Sequence, residues 1–216
     1  MKKTIVILTA LLFTIGLNAQ EVKFGLKGGL NLSQLSKSTV EMGGYEETGE
    51  ASDMLMGFHV GGLLNVGFGE FFGLQPELMF SMQGGKETES GVDVKFKLNY
   101  INVPVLFEVK PLTGFSLLVG PQIGLNISRA MSMSSGGMSA TVSGSDFDDA
   151  LKGEGLKINK IDFAAVVGVQ YAVMGHFLIG ARYNLGFSPV MDSDISNVKI
   201  TGGANRVIQV SVGWLF

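Results

Sequence analysis

The fold is decided by the last eleven residues, Arg206-Val207-Ile208-Gln209-Val210-Ser211-Val212-Gly213-Trp214-Leu215-Phe216. Side chains alternate between the two faces of a β-strand, so one face carries only large apolar groups: Ile208, Val210, Val212, Trp214 and Phe216. The opposite face carries small or polar groups: Gln209, Ser211 and Gly213. A strand with lipid on its outer side and a packed polar interior on the other needs this distribution, which therefore predicts a transmembrane β-barrel. The ending on Trp214 and Phe216 also resembles the signal that outer-membrane assembly machinery reads.

Seven earlier segments alternate in the same way. Together with the last one they predict strands near residues 22–33, 54–67, 71–84, 95–109, 115–128, 160–173, 177–188 and 204–216. Short and long connections alternate between them, and the long ones are 34–53, 85–94, 129–159 and 189–203. We therefore expect an all-β protein, an eight-stranded antiparallel transmembrane β-barrel with short periplasmic turns and long extracellular loops. Such a barrel would lie in the outer membrane of a Gram-negative bacterium.

The start of the chain has the three parts of a secretory signal peptide. Lys2 and Lys3 give a positive first part, an apolar run from Thr4 to Leu17 follows, and Ala19 offers a cleavage site. The apolar run is shorter than the roughly 20 residues that a membrane-spanning helix needs. We therefore expect a signal peptide at residues 1–19 and one barrel domain at residues 20–216.

Composition excludes several classes of function. Cleavage would remove two lysines and no acids, so the formal charge would move from −3 to −5, whereas a nucleic-acid-binding protein needs a basic face. The chain contains no cysteine, which excludes disulfides, thiolate catalysis and cysteine-bound metals. Acidic groups cluster in 34–53 and at Asp146-Phe147-Asp148-Asp149, but their spacing matches no known calcium-binding loop. The sequence therefore predicts no metal and no other cofactor.

Two strands carry a family resemblance. Residues 72–84, Phe-Gly-Leu-Gln-Pro-Glu-Leu-Met-Phe-Ser-Met-Gln-Gly, resemble the L-x-P-E-L-x-[YF]-S-x-x-G strand of PorT-family outer-membrane barrels. Residues 98–107, Leu-Asn-Tyr-Ile-Asn-Val-Pro-Val-Leu-Phe, are similar to the L-x-Y-[IL]-x-[IV]-P-[VL]-L strand of the same family. The resemblance implies the barrel fold and brings no catalytic residues. One branch of the family is linked to a secretion and gliding apparatus, so a role in envelope assembly or secretion is one alternative.

Strand parity also predicts which polar side chains point into the lumen. The candidates for a polar network there are Lys27, His59, Glu77, Asp162, Arg182 and Gln209. We expect Glu77 to pair with Arg182, which can engage a carboxylate through two donors, with Lys27 alongside. An eight-stranded barrel is just wide enough for its own side chains, so this network predicts a plug that closes the lumen. A gated ion pathway is the alternative interpretation of the same residues.

The expected role is structural or interactive, through the outer loops. The expected partners are outer-membrane lipid and lipopolysaccharide, the assembly machinery, and an envelope protein bound through loops 34–53 and 129–159, which are long enough to be functional. No nucleophile motif is present, and the two histidines are too far apart in the barrel to form one site, so the sequence predicts no enzyme. The alternative from that class is an enzyme at the outer rim that uses His59 as a base.

Overall fold

The computed structural model describes residues 21–153, 156–193 and 198–216. The predicted signal peptide lies outside these residues and stays a prediction. In chain order, the elements are β1 (Glu21–Leu35), β2 (Thr39–Met42), β3 (Tyr45–Thr48), β4 (Leu55–Phe68), β5 (Phe72–Glu89), β6 (Val92–Leu112), β7 (Phe115–Ser135), β8 (Met138–Ser143), α1 (Gly144–Gly153), β9 (Leu156–Ile158), β10 (Ile161–Val173), β11 (Phe177–Pro189), β12 (Met191–Ser193), β13 (Val198–Thr201) and β14 (Ala204–Leu215). No helix in the described residues has the length and apolar character needed to cross a bilayer.

Eight long antiparallel strands form a closed ring. Their order is β1, β4, β5, β6, β7, β10, β11 and β14, and β14 pairs back with β1. Leu30 in β1 lies opposite Phe58 on one side and opposite Val210 on the other, so the first strand is paired along both edges. Closure removes the free edges that would leave backbone N–H and C=O groups without partners in lipid. The predicted eight-stranded barrel is confirmed.

The alternation of side chains gives this barrel an apolar outside and a polar inside. On β14, Val210, Val212 and Trp214 are about half exposed, whereas Gln209 and Ser211, on the opposite face, are buried. The same inversion holds around the ring, where the exposed outer positions are mostly Leu, Val, Ile and Phe. A water-soluble fold would have the opposite arrangement, so the outer surface is suited to hydrocarbon.

Three short turns connect strands at one end, which we call the inner end. They are residues 69–71, 113–114 and 174–176, each between two neighbouring strands of the ring. Gly69, Gly114, Met174 and Gly175 have positive φ angles there, which tight turns between antiparallel strands require. The short connections predicted from the sequence are therefore placed together, at the end of the barrel opposite the long ones.

The four long connections lie together at the outer end as predicted, but they contain regular structure that the sequence did not predict. Residues 34–53, 85–94, 129–159 and 189–203 were expected to be loops, but β5, β6 and β7 extend into these ranges and β2, β3, β8, α1, β9, β12 and β13 lie within them. In the described residues, two-residue turns close three of the outer hairpins: Gly43-Gly44, Ser90-Gly91 and Gly136-Gly137, all with positive φ. Two consecutive residues with positive φ are the geometry that matches strand twist in a tight hairpin.

A second sheet and an apolar cluster complete the outer end. The sheet has the order β3-β2-β13-β12-β9 and joins segments from three of the long connections. We call the cluster the outer cap; it contains the buried residues Leu98, Tyr100, Phe147, Ile158 and Val190, with Leu35, Phe96, Met131 and Leu151 packed against them. These residues come from β1, β6, β7, α1, β9 and the β11–β12 connection. The outer cap has the ordinary apolar core of a soluble protein, built on top of a barrel with a polar core.

Candidate functional site

The centre of the lumen holds one carboxylate between two bases. Lys27 Nζ lies 2.5 Å from Glu77 Oε1, and Arg182 Nη1 lies 2.7 Å from Glu77 Oε2. The three side chains come from β1, β5 and β11, which converge because each residue is on the inward face near the middle of its strand. All three are 5% exposed or less at their side chains. Charges that are removed from water to this degree need partners, and each of these has one.

Arg182 divides its donors between two acceptors. Its Nη1 donates to Glu77, while its Nε donates to Gln209 Oε1 at 2.6 Å. The expected two-donor contact of Arg182 with a single carboxylate is therefore wrong in detail. Lys27 takes the second oxygen of Glu77 instead, so that both carboxylate oxygens accept a charged donor. The result is a triad, Lys27–Glu77–Arg182, with two positive charges around one negative charge.

Amide side chains extend the triad towards both ends of the lumen. On the inner side, Gln75 donates to Glu77 at 2.7 Å, and Asn65 joins Gln75 to Glu108. On the outer side, Gln209 donates to Asn31 Oδ1 at 2.7 Å. Sequence reasoning omitted Gln75, Asn31 and Asn65 from the network. Gln75 and Asn31 share strand parity with Glu77 and Lys27, so the alternation that found the charged residues could have found these amides.

His59 is enclosed in this network and does not reach the rim. Its Nδ1 lies 2.8 Å from Asn31 Oδ1, and the residue is 1% exposed. Asn31 also donates to Ser81 and to two backbone carbonyls, which fixes its orientation. The hydrogen bond to Asn31 connects His59 to Gln209 and through it to Arg182. The imidazole is thus packed as part of the interior, with no hydroxyl or carboxylate in hydrogen-bond contact among the described residues.

Asp162 lies apart from the triad. It is buried near the outer end of β10, beside the amide of Asn205. No lysine, arginine or histidine in the described residues forms an ion pair with it, in contrast to Glu77 and to Glu108, which lies 3.3 Å from Lys110. The structure therefore does not bring Asp162 together with the other predicted lumen residues.

The end of the last strand is anchored at the inner end. Phe216 stacks on Phe24 with ring centroids 6.0 Å apart, and Trp214 stacks on His176 at 5.8 Å. The backbone N–H of Phe216 donates to the carbonyl of Phe24, and that of Leu215 donates to the carbonyl of His176. Trp214 and Phe216 both point to the outside of the ring, at the level where aromatic rings settle at a membrane interface.

Comparison with known proteins identifies the family. The model of the family described as outer membrane protein beta-barrel domain matches residues 18–192. The chain belongs to this family. Its apolar outer surface and closed ring agree with that membership, and the protein is an outer-membrane β-barrel protein. No curated protein matches the chain in sequence.

Several solved barrel structures are similar to this chain. They include the attachment invasion locus protein Ail of Yersinia pestis, with 19% identity, a TM-score of 0.45, and coverage of 91% of this chain and 100% of that chain. Neisserial surface protein A has 14% identity and a TM-score of 0.43, with 91% and 98% coverage. OprG from Pseudomonas aeruginosa has 15% identity and a TM-score of 0.42, with 92% and 98% coverage.

The outer rim of the barrel is held in place by an ion pair. Arg129 in the extension of β7 donates through Nε and Nη2 to the two carboxylate oxygens of Asp148 in α1. This two-donor contact joins the helix to the wall of the barrel and covers one side of the outer cap. The hydrogen bonds that Arg129 donates to Asp148 raise the pKa of the Arg129 guanidinium.

A recess of about 230 Å³ opens beside the outer cap. Its apolar lining includes Leu35, Phe96, Leu98, Ile158 and Val190, and two acidic residues, Glu50 and Glu87, also line it. An apolar cavity of about 150 Å³ is large enough for a benzene ring, so this recess has room for an apolar side chain. The rim therefore combines a rigid framework with a recess that has apolar and acidic walls.

Proposed function

We propose that the protein is a closed barrel that presents its outer rim to an envelope or surface partner. The observation that carries the proposal is the Lys27–Glu77–Arg182 triad, which occupies the centre of a ring only eight strands wide. Side chains fill the interior of barrels of this size, so ordinary solutes have no path. The alternative of a gated ion pathway would require these hydrogen-bonded side chains to separate inside the lumen, where unpaired charges are costly.

The regular secondary structure of the outer rim supports a role in binding a partner. We expect partner binding through loops 34–53 and 129–159; the described residues of both contain strands, and Asp148 anchors α1. A pre-ordered surface loses less conformational entropy on binding than a flexible loop does. The recess with Glu50 and Glu87 in its wall suits a partner that inserts an apolar side chain flanked by a basic one.

Two further partners follow from the outer surface and the last strand. The apolar outer face would contact lipid and lipopolysaccharide, and the strand that ends in Trp214 and Phe216 would be the segment that the assembly machinery binds. Both remain proposals that rest on the exposure of these side chains.

The two alternative functions receive less support from the geometry. In the PorT-like segment 72–84, Gln75 and Glu77 belong to the lumen network, so interior packing accounts for part of that resemblance without a shared secretion role. For an enzyme, His59 would have to reach substrate at the rim, but it is buried and bonded to Asn31. We therefore propose a role without catalysis.

Site-specific photo-cross-linking in the native membrane tests the proposal. A photoreactive residue would replace Tyr45 in the β2–β3 hairpin or Glu50 in the recess wall. Met174 in an inner turn is the matched control, because Tyr45 and Met174 are 85% and 93% exposed at opposite ends of the barrel. We expect a cross-linked protein of defined mass from Tyr45 or Glu50 and not from Met174. Failure to cross-link any protein at the outer positions, or the same product from Met174, would contradict the proposed role.

A further inference from the structure

The outer half of the lumen contains a group of oxygen atoms with no hydrogen-bond donor. They are Asp162 Oδ1, Asn102 Oδ1, Gln122 Oε1 and Asn205 Oδ1, and no donor in the described residues reaches any of them. Each of the four side chains is at least nine-tenths buried. A buried polar atom without a partner is rare in folded proteins, because desolvation is then uncompensated. Four acceptors of this kind in one region need a common explanation.

Strand register places these acceptors around Gly124 in β7. Asp162 is the cross-strand partner of Gly124 from β10, and Asn102 is its partner from β6. A Cβ atom at Gly124 would lie 2.6 Å from Asn102 Oδ1 and 3.4 Å from the Cβ of Asp162. Because Gly124 has no side chain, Asn102 Oδ1 extends close to the position that a Cβ would occupy, next to Asp162.

The other two acceptors belong to neighbouring positions of the lumen wall. Gln122 is two residues from Gly124 on the same face of β7, a separation of about 7 Å that its long side chain can span. Asn205 lies beside Asp162 and donates through Nδ2 to the Tyr100 hydroxyl at 3.2 Å. In this orientation the Oδ1 of Asn205 accepts no hydrogen bond.

The charges point to a cation. Of the three acids buried in the described part of the barrel, Glu77 and Glu108 each contact a base and Asp162 contacts none. We propose that the outer half of the lumen binds a monovalent cation, with sodium as the expected ion, through oxygen atoms of Asp162, Asn102, Gln122 and Asn205. One carboxylate balances a single positive charge, and neutral carbonyl oxygens replace water in the hydration shell of such ions. The described residues contain no cluster of three or more acidic, histidine or cysteine side chains, which a divalent-metal site would favour.

The site has a structural role in this proposal. It lies between the Lys27–Glu77–Arg182 triad and the outer cap, and Tyr100 connects it to the cap. The bound ion would supply the positive charge next to Asp162, as Lys27 and Arg182 supply it next to Glu77. It would also hold β6, β7, β10 and β14 at one level of the lumen.

The test is thermal unfolding of the complete barrel after refolding in detergent. Refolding in sodium chloride or in choline chloride at equal ionic strength allows the ion to enter as the barrel closes. At a sodium concentration ten times its Kd, linkage raises the folded-to-unfolded ratio about 11-fold, and the melting temperature rises accordingly. The expected result is a higher melting temperature in sodium for the native protein and equal values in both salts for Asp162→Asn.

Two further variants keep the result interpretable. Asp146→Asn makes the same chemical change in the first turn of α1 and should keep the full sodium effect. Asn102→Leu should weaken the sodium effect without changing the charge of the lumen, and sodium-23 relaxation of the refolded protein should detect binding directly. If the native protein melts at the same temperature in both salts and shows no sodium-23 relaxation change, the proposal is wrong. The same conclusion follows if Asp162→Asn retains the native response to sodium.

Discussion

Removal of the Glu77 charge should destabilise the barrel more than removal of either base that contacts it. The two contacts of 2.5 and 2.7 Å lie among side chains that are 0–5% exposed. At an effective dielectric constant of about 20, each contact corresponds to about 6 kcal/mol of Coulomb attraction before desolvation is subtracted. Glu77→Gln leaves two buried cations without an acid, which should cost about 3–5 kcal/mol. Arg182→Met leaves a neutral Lys27–Glu77 pair, so its cost should be clearly smaller.

The assay is urea unfolding of the detergent-refolded protein, followed by the fluorescence of its one tryptophan, Trp214. A double-mutant cycle with Glu77→Gln, Arg182→Met and both changes gives the coupling, which should exceed about 1 kcal/mol. The control is Glu21→Gln, because Glu21 forms a 2.9 Å ion pair with Lys23 in which the glutamate side chain is 63% exposed. Exposed pairs contribute about 0–1 kcal/mol, so this change should be nearly neutral. Additive effects, or a Glu77→Gln cost no larger than that of Arg182→Met, would refute the closed triad and restore the case for a hydrated lumen.

Three other predictions concern the rim, the ring and the last strand. Asp148→Asn should weaken the contact with Arg129, so limited proteolysis should cut α1 faster. The heat resistance of the barrel in SDS should stay unchanged, and its loss would show that the contact between Asp148 and Arg129 stabilises more than the rim. Gly61→Ala should lower the melting temperature, because the new Cβ would lie 2.1 Å from the carbonyl oxygen of Leu78. The control is Gly62→Ala, whose Cβ would have its nearest atom 3.5 Å away and which should melt close to the native temperature. Equal effects of the two changes would show that the backbone contact at Gly61 does not limit stability. Phe216→Ala removes the stacking on Phe24 and should reduce the amount of barrel that cells insert in the outer membrane. The measurement is the heat-modifiability of the protein in membrane fractions, and native levels of the variant would rule out an assembly role for Phe216.

The barrel could be predicted from the sequence because lipid imposes a strict pattern. Every second residue of a membrane-spanning strand contacts hydrocarbon. The apolar residues Val210, Val212 and Trp214 therefore identify the outer face of the last strand from its own sequence alone. The inward position of Glu77 and Arg182 follows from the same alternation. The alternation does not predict that Arg182 donates to both Glu77 and Gln209. That arrangement depends on the relative heights of β5, β11 and β14, which only the register of the closed ring determines.

The rim was harder to predict because its outer face meets water and not lipid. Without lipid, a strand has no need of bulky residues on alternate positions, and the segment Met131-Ser132-Met133-Ser134-Ser135 looks like a flexible loop by composition. The signal that could have been used was the pair Gly136-Gly137, since two glycines between alternating residues favour a tight hairpin. Gly43-Gly44 and Ser90-Gly91 gave the same signal.

We expect the outer cap to form late in the folding of the barrel. Its members lie as far apart in the chain as Leu35 and Val190, so they meet only when the strands that carry them are already in place. Contacts between such distant residues form slowly, because the intervening chain must first lose its freedom. β14 pairs with both β1 and β11, which carry Leu35 and lead to Val190, so we expect Phe147 and its neighbours to be buried only after β14 has closed the ring. Protection of the outer cap from proteases would then report a completed barrel.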